Sequence, residues 1–275
     1  MNHPEPLPKL LSMPDVQSAP DHRELAIDHV GIRGLRYPLP IADRDGVQST
    51  IADCSVFVAL PADRKGTHMS RLVALLEERA VPGAEPIGVV TLRRAVETLI
   101  ERLDAPGGRL ELAFPFFVRK TAPVSGIASL LDYQARLVGE LDGSTYRQTI
   151  SAAVPVTSLC PSSKEISAYG AHNQRSVITI TAGTREPVFI ADLLRVAEEE
   201  ASSELFGILK RADEKFVTER AYDNPRFVED LVRGVAARLD ADPRLEAFVV
   251  EAENFESIHN HSAYARIARG SLAGR

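Results

Sequence analysis

The order in which apolar periodicities follow one another constrains this chain most. Two strand-like stretches, residues 27–39 and 50–60, come first. Met69, Leu72, Val73, Leu76 and Ala80 then recur at helical spacing, and Leu92, Ala95, Val96, Leu99 and Leu103 form a second helical stripe. Pro82 and Pro86 separate the two helices, and Thr91 is placed to cap the second. Pro106-Gly107-Gly108 turns the chain into two more strand candidates, 109–118 and 127–141. After Asp142-Gly143 the order starts again. Strand candidates 147–156 and 176–182 precede a long helix with Ile190, Leu193, Leu194, Ala197, Ala201, Leu205 and Ile208 on one face. A helix over 225–239 follows, with Asn224 as N-cap and Pro225 as first residue, then a strand over 245–253 and a short, mixed tail.

This order predicts an α+β chain of two tandem ββααββ modules, with antiparallel sheets and helices packed on one face. The expected division is a loose, Pro-rich arm over 1–21, a first module over 22–142 and a second over 143–275. The repeat is one of element order, not of letters. Uncovered sheet edges on units this small predict assembly with other subunits.

Composition narrows the partners. The formal net charge of −6 argues against a general nucleic-acid binder, which needs a basic surplus to neutralise phosphates. No apolar run approaches the roughly 18 residues of a membrane span, and residues 1–20 lack a charged-then-apolar signal pattern. A cytoplasmic protein with no membrane partner is the expectation. Two cysteines in 275 residues make no disulfide framework, so a reduced thiol is free to act as metal ligand or nucleophile.

The candidate chemistry lies mostly in the second half. Cys160 follows a strand candidate in the polar segment Ser158-Leu159-Cys160-Pro161-Ser162-Ser163-Lys164-Glu165, and His172 stands twelve residues on. A thiolate and an imidazole suit a borderline-soft divalent metal, with a third protein ligand and one position left open for water. A lone cysteine is equally a small buried hydrophobe, and on the residues alone both readings stand. Several carboxylates are available. The run Glu198 to Glu200 reads as a solvated helix face, Glu214 as a loop residue, and Glu229 as lying near the buried face of its helix. Asn254-Phe255-Glu256-Ser257-Ile258-His259-Asn260-His261 places two histidines at a spacing that no helix face shares, so one is expected in a site and one outside it. A histidine is the natural proton shuttle near neutral pH, though a surface role is as compatible with the spacing.

These segments together resemble the type IB GTP cyclohydrolases, the FolE2 family with the tunnelling fold (T-fold). The likeness covers almost the whole chain. It rests on Asp15-Val16-Gln17-Ser18, on Val30-Gly31-Ile32-Arg33-Gly34-Leu35-Arg36-Tyr37-Pro38 and on Lys65-Gly66-Thr67-His68-Met69-Ser70-Arg71. It continues through the Cys160 segment, Tyr169-Gly170-Ala171-His172-Asn173-Gln174-Arg175-Ser176, Thr218 to Pro225, and Asn254 to His259. The resemblance implies that Cys160, His172 and Glu214 hold one divalent metal (zinc, manganese or iron), that Glu229 anchors the purine edge, and that His259 is the catalytic histidine. It further implies a homotetramer with active sites at subunit interfaces. The family often has Cys-Pro-Cys-Ser where this chain has Cys160-Pro161-Ser162-Ser163, so a second thiol is absent.

The implied reaction is hydrolysis and rearrangement of GTP to 7,8-dihydroneopterin triphosphate and formate, the first step of tetrahydrofolate biosynthesis. Water attack at C8 of guanine needs a metal that lowers the pKa of water, and ring opening and closing need a group that gives and takes protons. A carboxylate on the guanine N–H edge rejects bases that lack those donors. Lys65, His68, Arg71 and Lys164 are the candidates for the triphosphate, each equally readable as surface charge. Another tunnelling-fold enzyme of pterin or queuosine metabolism, or a paralogue that binds without turnover, would share the frame. The Cys160, His172 and His259 segments together favour the cyclohydrolase.

Overall fold

A computed structural model describes Gln17 and residues 19–273. The rest of the expected arm, with motif residues Asp15, Val16 and Ser18, lies outside the described residues. Gln17, Ala19 and Asp21 run beside residues 63–66, through Gly66 N–H to Gln17 O, Lys65 N–H to Ala19 O and Asp21 N–H to Asp63 O.

The first half runs β1 (Ile27–Asp43), β2 (Gly46–Leu60), α1 (Met69–Ala80), α2 (Leu92–Leu103), β3 (Gly107–Thr121) and β4 (Ala128–Asp142). The second runs β5 (Thr145–Leu159), α3 (Pro161–Ile166), β6 (Asn173–Thr184), α4 (Ile190–Glu200), β7 (Ser203–Glu204), α5 (Arg211–Asp223), α6 (Val228–Asp240), β8 (Leu245–Asn254) and β9 (Ala263–Arg269). The ββααββ order therefore recurs, with α3, β7 and α5 added the second time. The fold is α+β, the tunnelling fold.

Among the described residues all nine strands join one antiparallel sheet in the order β1-β2-β3-β4-β5-β6-β8-β9, with β7 beside β5. Strand alternation decides which face is covered. In β5, Ile150, Ala152, Val154 and Val156 are buried while Thr149, Ser151, Ala153 and Pro155 are only partly so. On this covered face α4 packs on β5 and β6 and α6 on β8 and β9, while α1 packs on β1 and α2 on β2, β3 and β4, and one hydrophobic cluster spans both halves. Gly139 lets α2 come this close, since a Cβ there would stand 2.9 Å from Leu92 Cγ and 3.1 Å from Val96 Cγ2. The helix-free face is polar and carries a ladder of ion pairs, Arg136–Glu111–Arg109–Glu140.

Several local expectations fail for identifiable reasons. The long helix stops at Glu200, because residues 203–204 leave it to pair with Val156 and Thr157 of β5. Pairing between β4 and β5 ends at Gln134 and Ala153, and β7 takes the vacated place. The helix expected from Pro225 begins at Val228, with the Phe227 N–H donating to Asp230 Oδ2 at 2.9 Å. Asn224 instead ends α5 and donates to Ala201 O at 2.8 Å. Thr91 sits at the start of α2 without capping it, because its hydroxyl accepts from Gly88 N–H and donates to Pro86 O. The tail forms edge strand β9.

Candidate metal centre and purine site

The β5–β6 pairing brings the backbones of the two expected ligands, a thiolate and an imidazole, to the same strand ends. Its register runs to Leu159 opposite Asn173, so the connection of residues 160–172 closes directly on the strand ends. Cys160 precedes α3, with Pro161 as first helical residue. The neck of the loop is laced by the Cys160 N–H donating to His172 O at 3.1 Å. Ser163 reinforces it: its N–H donates to Cys160 Sγ at 3.4 Å, its hydroxyl donates to Cys160 O at 3.1 Å and accepts from His172 N–H at 3.2 Å. His172 Nδ1 lies 2.9 Å from Gln174 Oε1, and Gln174 Nε2 donates to Ser158 Oγ at 2.8 Å. Cys54 is the other reading of a lone cysteine: it is fully buried in the core, and burial pushes its thiol up to about 12. Cys160 is the partly accessible thiol.

Two further segments are fastened to the same strand end. Leu159 N–H donates to Ser202 Oγ at 3.0 Å, and Leu159 O accepts from Arg226 N–H at 3.0 Å. Glu229 follows Arg226 by three residues, in the first turn of α6, where it is exposed rather than near the helix's buried face. Lys164 Nζ donates to Tyr222 O and lies 4.3 Å from the Tyr222 ring centre, so its charge is engaged at the C-terminal end of α5.

Glu214 is not a loop residue. It is exposed in the first turn of α5, because Asp213 beside it nucleates that turn. Asp213 is fully buried and accepts from the N–H groups of Val124, Ser125 and Lys210 and from the Ser125 hydroxyl. Burial alone would raise its pKa, but these donors outweigh it and hold the carboxyl below the usual range. The same contacts pin α5 to the β3–β4 turn. Along α5, Glu214 and Tyr222 are separated by a rise of about 12 Å. Among the described residues no three His, Cys, Asp or Glu side chains gather as a metal-binding group. Cys160 and His172 carry donor types that suit a divalent metal and are joined through their backbones, and Glu214 does not complete a three-ligand group with them. His259 lies in the exposed β8–β9 connection, its ring stacked on His261 at 5.1 Å.

Sheet topology sorts these residues into two groups. Successive antiparallel pairings make β3, β5 and β8 parallel to one another and opposite to β2. The β3–β4 turn that holds α5, the end of β5 and the end of β8 therefore share one end of the sheet. Cys160, His172, Lys164, Glu214, Glu229 and His259 all belong there. Lys65, His68 and Arg71 follow β2 and lie at the opposite end. The 15 residues of β5 alone span roughly 45 Å. His68 and Arg71 line a separate cavity of about 320 Å³ with Arg64 and Gly66, and His68 Nδ1 is 2.6 Å from Gln17 Oε1.

Two polar atoms bordering the site have no partner among the described residues: Arg226 Nε and Asn254 Oδ1 are buried without a hydrogen bond. Such groups are costly to leave unmet. Asn254 starts the segment that carries His259, and Arg226 is bonded through its backbone beside Cys160. Neither stands out in sequence, since an Arg and an Asn among many announce nothing until their burial is known.

Comparison with known proteins decides the family. The pattern of the family described as "Type I GTP cyclohydrolase folE2" matches residues 13–265. The chain belongs to the FolE2 family of type I GTP cyclohydrolases. It is 58% identical over 263 residues to the GTP cyclohydrolase FolE2 of Paraburkholderia xenovorans, covering 95% of this chain and 97% of that one. It is 57% identical over 264 residues to the GTP cyclohydrolase FolE2 of Burkholderia pseudomallei, covering 96% and 98%. Among solved structures, a highly active mutant of urate oxidase from Bacillus sp. TB-90 superposes with a TM-score of 0.51 at 9% identity, over 89% of this chain and 100% of that one. That likeness is one of fold. Among the described residues no helix is long and apolar enough to cross a membrane.

Proposed function

We propose that this chain is a type IB GTP cyclohydrolase, which converts GTP and water to 7,8-dihydroneopterin triphosphate and formate. The observation that carries the proposal is the closure of the β5–β6 connection, which brings Cys160 and His172 together in a member of this family. Cys160 and His172 would hold a divalent cation (zinc, manganese or iron), with Glu214 supplying the third ligand. Such an ion, when bound, supplies the Lewis acidity that lowers the pKa of water.

The chain's own residues do the rest. The Glu229 carboxylate accepts from the N1–H and N2–H groups of guanine, and so selects that base. The His259 imidazole, in an open connection, gives and takes protons as the ring opens and closes.

Topology supports the reading that the chain assembles. Cys160 and the basic cluster Lys65, His68 and Arg71 occupy opposite ends of the sheet, so a site that uses both takes them from two copies of the chain. Exposed apolar side chains at the Cys160 end support a contact there: Ile166, Tyr169, Phe216, Phe227, Phe255 and Ile258. We read the oligomer as a tetramer and the chain as two modules, 22–142 and 143–275.

Incubation of the purified protein with GTP and a divalent metal tests the activity. Formate and a pterin triphosphate in equal amounts are expected, and ATP should yield neither. GTP bound but unchanged would instead indicate a binding paralogue. A pterin product without formate would indicate a different tunnelling-fold chemistry.

A further inference from the structure

Gln174 stands directly behind His172 and is itself held from behind. We propose that Gln174 is a positioning residue: it fixes the His172 ring with its proton on Nδ1, so that Nε2 is the nitrogen offered to a metal ion. The proposal rests on the reading of His172 as a ligand.

The argument begins with the amide. Gln174 Nε2 donates to Ser158 Oγ at 2.8 Å, and that hydroxyl shares a further hydrogen bond of 2.7 Å with Ser176 Oγ. In this orientation the amide presents its carbonyl oxygen to His172, where Oε1 lies 2.9 Å from Nδ1. A carbonyl oxygen only accepts, so Nδ1 must carry the proton. A neutral imidazole protonated at Nδ1 has its lone pair on Nε2.

The sheet makes this relay rigid. Ser158 pairs with Gln174 across β5 and β6, and Ser176 follows two residues along the same face. All three are buried, so water does not compete for their hydrogen bonds. His172 itself lies just outside the strand, in the laced neck of the connection, where its backbone has little freedom. Metal-ligating histidines characteristically donate their second N–H to such an acceptor, and loss of that acceptor costs about 10- to 100-fold in metal affinity. The acceptor here is an uncharged amide. It orients the ring without adding a negative charge beside the Cys160 thiol.

The test uses the full-length protein and Co²⁺ alone as probe, with affinity measured by competition against a chromophoric chelator. Gln174→Leu should weaken Co²⁺ binding about 10- to 100-fold and alter the visible Co²⁺ spectrum. Gln174→Glu, which keeps an acceptor at the same reach, should restore the affinity to within a few-fold. In the metal-free wild type, long-range ¹H–¹⁵N NMR should show His172 protonated on Nδ1. His172→Ala serves as the control for the ligand reading. Wild-type affinity in Gln174→Leu, with binding lost in His172→Ala, overturns the positioning role and leaves the ligand reading intact. Wild-type affinity in His172→Ala overturns both. Should Gln174→Leu fail to fold, the NMR measurement and Gln174→Glu decide: an Nε2–H tautomer, or affinity lost in Gln174→Glu, contradicts the proposal.

Discussion

Glu229 and His259 illustrate how much a single side chain is asked to do. Both sit exposed at the same end of the sheet, one on the first turn of α6 and one in the β8–β9 connection. Their expected contributions fall on different steps. Loss of a carboxylate that pairs with the guanine edge should weaken GTP binding by about 2–5 kcal/mol. Loss of a proton shuttle should leave binding intact and lower turnover by about 10²–10⁴-fold. GTP binding and formate release, measured separately on Glu229→Ala and His259→Ala, distinguish the two. Normal GTP binding by Glu229→Ala would move the anchor to another residue, and loss of binding with an intact per-site rate in His259→Ala would reverse the roles. Legibility at this scale depended on motif, not on chemistry alone. Cys160 and His172 could be named because they stand in distinctive segments, whereas Gln174, Arg226 and Asn254 show their significance only through burial and partners.

The elements were readable where a buried face imposes a period and obscure where it does not. The stripes of α2, α4 and α6 are real because each buries a row of aliphatic side chains against the sheet, and α1 does so with Leu72 and Leu76 of its expected stripe and with Leu75, while Met69 is exposed. α5 went unread because its buried positions are only Asp213 and Ala221, which leave no apolar period to follow. α3 has six residues, too few to show a period, and β9 mixes alanines and Ile267 with arginines and Tyr264. The apparent continuation of α4 through Leu205 and Ile208 was coincidence, since the chain is drawn off by β7. That departure also corrects the reading of Glu198 as a solvated carboxylate. Glu198 Oε1 lies 2.8 Å from Lys120 Nζ and accepts from the Tyr133 hydroxyl at 2.6 Å. Lys120 is buried, also pairs with Glu204 of β7, and lies 4.9 Å from the Phe206 ring centre. Burial and the neighbouring Glu198 carboxylate push the Tyr133 hydroxyl's pKa up, which keeps it a donor. Removing the cation strands two partly buried carboxylates. Lys120→Met should therefore cost about 3–5 kcal/mol, read as a lower denaturation midpoint. A loss under about 1 kcal/mol, the scale of a surface pair, would show that Tyr133 on Glu198 and Arg220, which lies 3.3 Å from Glu204 Oε1, compensate alone.

For the whole molecule, the repeated element order predicts the sheet well but says nothing of which ends of the strands carry chemistry. Only the register shows that the Lys65–Arg71 segment and Cys160 lie at opposite ends, and the proposal that one site uses both therefore needs more than one copy. Light scattering should find an oligomer at working concentration, and a fully active monomer would contradict the account. A sharper prediction concerns mixtures. If each site draws on two copies, Cys160→Ala and Arg71→Ala proteins, each inactive alone, should regain part of the wild-type rate when unfolded, mixed and refolded together. Mixtures as inactive as their components would place every essential group of a site in one chain.

We propose that Cys160 and His172 anchor a catalytic divalent metal at the end of the β5–β6 pair. Elemental analysis of the purified protein, alongside its GTP turnover, tests it most directly. Wild-type protein should carry metal in proportion to its activity, and Cys160→Ala and His172→Ala should fall well below it in both. Full metal occupancy and wild-type formate release in both variants would contradict it.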